Sequence, residues 1–297
     1  MSLGRGMHDL RRYALTMRTI SLACSPDADD LFMMRALLEG LIDTGDYRFA
    51  ITTSPTDALN QLGSGGAGPD VLALSIAHYP SVADRYQLLP HGGSMGEGYG
   101  PVVVANEPMT LAELEGIRIG VPGLTTTAYT TLRMMVDDLK PVVTPITPYR
   151  LIFDALRDGT IDAGLIIHEG RLTYEDLGLH KVVDQGEWWA AQTGGLPLPL
   201  GGNSIARHLG PEVIADVSTL LRESIAHGLE HLDEAVDWLL ARNGPLDTPE
   251  RVREYLWMYA NQRTLEYGPE GRRGVQVFLE RAASEGLIGR CEVDWAP

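Results

Sequence analysis

Two stretches of this chain follow one plan: a short β-type run, a polar turn, then apolar residues at helical intervals. The first is 19–24, a turn Ser25-Pro26-Asp27-Ala28-Asp29-Asp30, and a helical run over 31–41. The second is 117–121, a turn Pro122-Gly123-Leu124-Thr125-Thr126-Thr127, and a helical run over 132–139. A helix after a strand carries the chain back along a sheet, so a repeated strand–turn–helix unit commits the sequence to the α/β class. Further strands fit the pattern at 47–53, 71–75, 101–105, about 142–143, and 164–167. The last is a four-residue apolar or glycine run bounded by a turn, the signature of a buried parallel strand.

At 297 residues the chain exceeds one small core and suits two domains. The strand at 101–105 can lead into a second domain, and the Pro/Gly stretch 196–203 precedes a return strand at 204–206. The expected division is a larger α/β domain of 18–100 plus 200–297, and a smaller one of 101–199. In the smaller, a helix over 149–157 ends at Gly159 as a C-cap, and Trp188 and Trp189 read as helix packing rather than a stacking platform. Beyond 211 the spacing is helical to 243, Thr248-Pro249 opens another helix as N-cap and first residue, and 270–285 makes a third. Residues 1–17 are expected to be a disordered or cloning-derived extension. Their apolar piece is too short and polar for a secretory segment.

Composition narrows the partners. A formal net charge of -16 argues against nucleic acid and anionic membranes, which are held by Lys/Arg clusters. No apolar run approaches the ~18 residues of a membrane span. A small anion remains possible, because local amides can bind it whatever the global charge. Cys24 and Cys291 are too few for a disulfide framework, and a reducing cytoplasm is the expected home.

In α/β sheets, ligands sit beyond the carboxyl ends of strands, and chemistry-bearing residues stand at several such ends. His168 follows 164–167, where an imidazole could serve as a general base near neutral pH. The alternative is that it only caps the strand by bonding its neighbours. Ser75 closes strand 71–75 with a hydroxyl that could face a cleft, and Ser25 opens the first turn. Thr126, Thr127 and the Ala128 amide form a candidate carboxylate-binding corner; the alternative is simple helix capping. The acids Asp27, Asp29 and Asp30 suggest a metal, but capping and dipole compensation at the helix start explain them better. The turn Gly63–Gly68 lacks the Lys-Ser/Thr of a phosphate loop. His227 and His231 lie one helical turn apart without a third ligand and read as surface residues.

The segment Gly164-Leu-Ile-Ile-His168-Glu-Gly-Arg-Leu-Thr-Tyr174 joins Gly186-Glu-Trp-Trp189 and Leu196-Pro-Leu-Pro-Leu-Gly201 in a specific combination. Weaker companions are Val121–Tyr129, the loop Gly92–Pro101 and the Ser25-Pro26 turn. Together they make the chain resemble, over essentially 18–287, the 1,4-dihydroxy-6-naphthoate synthases of the futalosine route to menaquinone. The resemblance implies a two-domain fold like type II periplasmic binding proteins, with an interdomain cleft and no metal or organic cofactor. It implies a carbon–carbon lyase that converts cyclic dehypoxanthinyl futalosine, a small-molecule carboxylate, to 1,4-dihydroxy-6-naphthoate and a three-carbon fragment. It places His168 as general base, with Ser75, Thr127 and Ala128 lining the cleft and Asn60 at a matching polar position. This chain departs at Ala28-Asp29-Asp30, where the family often has Pro-Asn-Asp, and at Glu97, where a basic residue can occur; both add negative charge near an anionic substrate. The alternatives are the related chorismate dehydratase of the same pathway, and a non-catalytic binding protein for a small organic anion. Oligomeric state has no signature in the sequence.

Overall fold

The computed structural model describes residues 17–145 and 150–297. The expected terminal extension, save Met17, and Tyr149 at the expected helix start lie outside the described residues. The chain begins with β1 (Arg18–Cys24), α1 (Ala28–Leu38), β2 (Tyr47–Thr53), α2 (Thr56–Ser64) and β3 (Val71–Ser75). Two short strands follow, β4 (Tyr86–Leu88) and β5 (Ser94–Gly96). Then come β6 (Val102–Ala105), β7 (Arg118–Val121), α3 (Thr127–Met135), β8 (Lys140–Val143), α4 (Arg150–Arg157), β9 (Ala163–Ile166), β10 (His180–Asp184) and α5 (Gln185–Thr193). The chain closes with β11 (Leu198–Ala206), α6 (Pro211–Glu230), α7 (Leu232–Leu240), α8 (Pro249–Tyr259), α9 (Gln262–Leu265) and α10 (Gly268–Ser284).

The strands form two sheets. The first runs β2-β1-β3-β11-β4, with β5 also paired to β11; the second runs β10-β6-β9-β7-β8. β1 pairs in parallel with β2 and β3, while β11 returns antiparallel against β3. The chain therefore passes between sheets twice, after β5 and before β11. β9, expected as a parallel strand, is parallel to β7 and antiparallel to β6.

Alternation along the second sheet explains its two cores. Val103, Ala105 and Leu165 share a buried cluster with Ala128 and Leu132 of α3. Their neighbours Val102, Val104 and Ile166 join Ile152, Phe153 and Leu156 of α4 on the other face. Successive strand side chains point to opposite faces, so the sheet is covered by helices on both. The first sheet has a larger core in which Phe32 and Met33 of α1 join Leu221 and Ile225 of α6 and Phe278 of α10.

Some expected boundaries move. α1 and α3 begin in what looked like polar turns, at Ala28 and Thr127, because polar residues are favoured in and before a first helical turn. α2 extends through Gly63, which was expected in a flexible turn; a Cβ there would lie 2.6 Å from Leu72 Cδ2, so the glycine permits close approach to β3. The continuous helix expected over 211–243 breaks at His231, whose φ of -117° and ψ of 44° are not helical. β11 starts inside the Pro/Gly stretch, where Pro199 stands beside a register shift. Trp189 is fully buried, 5.6 Å from Phe278, as helix packing requires. Among the described residues no helix is long and apolar enough to cross a membrane.

Candidate active site

The carboxyl ends of β1, β3, β7 and β9 and the middle of β11 converge on one cavity of about 90 Å³. His168 lines it, immediately beyond β9, with a left-handed backbone at φ 52°. That turn directs the ring to the opposite sheet's loops rather than to its own strand neighbours. Nδ1 lies 3.1 Å from Asp27 Oδ2, and Nε2 lies 3.3 Å from Thr56 Oγ1 at the start of α2. A buried carboxylate on one ring nitrogen fixes tautomer and orientation and leaves the other nitrogen for a ligand.

Asp27 occupies the N-cap position of α1 but makes no side-chain cap bond. The capping role expected for one of the three acids is replaced by contacts to His168 and to the Ser25 hydroxyl, which donates to Oδ2. Asp30 Oδ2 accepts the Ser25 N–H at 2.6 Å, and Asp29 accepts from Ser94 and from the Tyr255 hydroxyl of α8. Burial foremost raises the pKa of both Asp29 and Asp30 above the usual carboxylate range. Burial works against charge on the His168 ring, yet the carboxylates of Asp27, Asp29, Glu169 and Asp30 outweigh it and raise its pKa above the usual 6.5. Glu169 faces away from the cavity lining; its Oε1 accepts the Ala28 N–H at 2.8 Å, which anchors the His168 turn to the start of α1.

The second corner is the start of α3. Thr126 is its N-cap, with Oγ1 accepting from Tyr129 N at 3.2 Å and donating to Gly123 O at 3.0 Å. Thr126, Thr127 and Ala128 all line the cavity. The Thr127 hydroxyl donates to Leu200 O at 2.6 Å and accepts from Ala77 N at 3.1 Å. That hydroxyl thus ties the two sheets together, and the first-turn N–H groups of Thr127 and Ala128, which cannot bond within the helix, are the donors left for a ligand.

Ser75 and Ser25 also line the cavity, whereas Asn60 stands behind its wall. The Asn60 amide accepts from Ser75 N at 2.9 Å and donates to Ser75 Oγ and Thr125 Oγ1 at 3.1 and 2.9 Å. It braces Ser75 and the α3 corner. Glu97 is paired with Arg263 at 2.7 Å and is absent from the lining, so its charge is directed away from the cavity. His231 lies at the surface, its ring 4.3 Å from that of His227.

Several site residues were not signalled by spacing. Thr56, at the start of α2, stands in no motif that marks a site, yet it lines the cavity and contacts His168. Arg171 was part of the His-Glu-Gly-Arg segment without a role; it lines the cavity and is held by buried Asp184 at 2.6 Å. Tyr255 and Tyr259 reach the cavity from α8, far along the chain.

A family model described as menaquinone biosynthesis matches residues 20–284. The chain is 38% identical over 271 residues, 91% of its length and 96% of the relative's, to a 1,4-dihydroxy-6-naphthoate synthase of Thermus thermophilus. Among solved structures it is similar to protein AF1704 from Archaeoglobus fulgidus, with a TM-score of 0.84, 39% identity, and coverage of 91% of this chain and 98% of that one. It is also similar to the alkanesulfonate-binding protein SsuA from Xanthomonas axonopodis, with a TM-score of 0.64, 14% identity, and coverage of 93% and 96%. The last likeness concerns fold alone: two α/β units of the periplasmic-binding-protein kind with a helical C-terminal segment.

Proposed function

The chain belongs to the menaquinone biosynthesis family, and from that premise we propose that it is a lyase converting cyclic dehypoxanthinyl futalosine to 1,4-dihydroxy-6-naphthoate, with His168 as its base. The observation that carries this reading is the His168 ring, held at Nδ1 by Asp27 and presenting Nε2 to the cavity beside Thr56. A cleft that only binds an anion has no need of an imidazole oriented in this way.

The substrate carries a ring poised to become aromatic, so loss of one proton can drive carbon–carbon cleavage. Neutral His168 takes that proton at Nε2, and Asp27 stabilises the imidazolium that results. A positioned base of this kind is worth ~10²–10⁴ in rate. The substrate carboxylate docks on the Thr127 and Ala128 N–H groups, with Ser25, Ser75 and Thr126 shaping the wall around it. Substrate closure between the sheets excludes water from the intermediate. The reaction needs no metal or organic cofactor, and its setting is the cytoplasm.

The test is incubation of the purified protein with cyclic dehypoxanthinyl futalosine and, separately, with chorismate. Naphthoate absorbance growing only with the first substrate is expected. Consumption of chorismate without naphthoate would assign the dehydratase reaction instead, and no turnover of either would leave a binding protein.

A further inference from the structure

Asn203 is the most conspicuous polar side chain of the cavity that the proposed mechanism does not use. It sits on β11, opposite Ala73 of β3, and is 1% exposed. Its backbone carbonyl accepts from Leu89 N at 2.9 Å. Its side chain lines the cavity, and among the described residues neither Oδ1 nor Nδ2 has a hydrogen-bond partner. An unmet buried amide is costly, and such groups in native proteins are few. The glycine-dense loop after β4 makes room for it: a Cβ on Gly92, which has φ +72°, would lie 2.4 Å from Asn203 Nδ2. The fold thus reserves space for an amide that it leaves unsatisfied.

We propose that the Asn203 amide is a specificity-determining contact that reads the hydroxyl-bearing end of the substrate. This rests on the naphthoate-forming reading above. The amide presents one acceptor and one pair of donors side by side. A carboxylate would satisfy Nδ2 but face Oδ1 with like charge, so a carboxylate is the wrong complement. A hydroxyl, which both donates and accepts, or two neighbouring hydroxyls, satisfies both atoms. The geometry separates the two ends of the ligand. Leu200, whose carbonyl holds Thr127 at the carboxylate corner, lies three positions before Asn203 on the same strand, so the two groups stand at different places along the cavity wall. A bicyclic acid whose carboxylate docks at the α3 corner would direct its second, hydroxyl-bearing ring away from that corner.

The test compares two probes by calorimetry under anaerobic conditions: 1,4-dihydroxy-6-naphthoate and 2-naphthoate, which lacks the hydroxyls. Wild-type protein is expected to prefer the first. Asn203→Leu should weaken the dihydroxy acid by roughly 10–100-fold and leave 2-naphthoate within about 2-fold. The ligand-free Tm should rise, because an unsatisfied amide has been replaced by an apolar side chain of similar size. Asn203→Ala repeats the comparison should the leucine not be accommodated. Equal weakening of both probes together with a lower Tm would make Asn203 a structural residue and overturn the proposal, as would unchanged preference for the dihydroxy acid. Turnover of cyclic dehypoxanthinyl futalosine by wild-type protein is measured alongside. Turnover without any hydroxyl preference overturns the role of Asn203 alone. Absence of turnover and of binding by either probe overturns the naphthoate-forming reading, and this inference with it.

Discussion

His168 sits at φ 52°, a left-handed conformation that costs a non-glycine residue of the order of 1–3 kcal/mol. Histidine, asparagine and aspartate tolerate it better than other side chains. The conformation brings the ring to Asp27, and this pairing sets the pH behaviour. In the proposed mechanism the ring must be neutral to accept the proton, and its pKa is raised above 6.5 by Asp27, Asp29, Glu169 and Asp30 against the effect of burial. The acid limb of kcat/KM should therefore fall above the usual histidine value, and Asp27→Asn should move it to lower pH. An acid limb that stays in place in Asp27→Asn would remove Asp27 from the base's environment. Stability runs the other way. A raised pKa means the fold favours the protonated ring, so this contribution is complete below 6.5 and is lost as pH climbs through the raised value. The position of His168 was legible because a short apolar strand ends there. The role of Asp27 was not, because its partner lies on the other sheet and local spacing offered helix capping as a sufficient reason for an acid.

At the scale of elements, the start of α3 does two jobs. Thr126 caps the helix through Tyr129 N, and Thr127 and Ala128 beside it line the cavity. Thr126→Ala should cost about 0.5–2 kcal/mol in chemical denaturation and weaken naphthoate binding by loosening the same turn. Loss of stability with unaltered naphthoate affinity would separate the cap from the binding corner. Both strand–turn–helix units were legible from their periodicity and polar turns. Their helix starts were placed too late because the turn residues themselves form the first helical turn. The three-residue β5 is too short to show a period, β10 offers only Val182-Val183 as an apolar pair among His180, Lys181 and Asp184, and the start of β11 was obscured by Pro199, Gly201 and Gly202, with Pro199 and Gly201 flanking a register shift.

Across the whole molecule, the cavity exists because two sheets meet. Asn60 to Thr125, Asp57 to Thr125 at 2.6 Å, Thr127 to Leu200 and Ala28 to Glu169 all join elements of different sheets. A Cβ on Gly123 would lie 2.3 Å from Asp57, so the contact is close at the backbone level. Asn60→Ala takes the acceptor from the Ser75 N–H and the donor from the Ser75 hydroxyl, and should lower stability by roughly 1–3 kcal/mol. The expected readout is a lower urea midpoint with an unchanged slope, and a midpoint equal to wild type would show that the brace contributes nothing. Such long-range ties have no local periodicity, which is why the two-unit organisation was legible in the sequence while the placement of Asn60 behind the wall was not.

The most direct test of His168 as the base is single-turnover kinetics of His168→Asn. Asparagine accepts the left-handed backbone and fills similar space, so a change in rate reports chemistry rather than folding. The expected result is 1,4-dihydroxy-6-naphthoate affinity close to wild type with the chemical step slowed by ~10²–10⁴. A chemical step as fast as wild type in well-folded His168→Asn protein would contradict it.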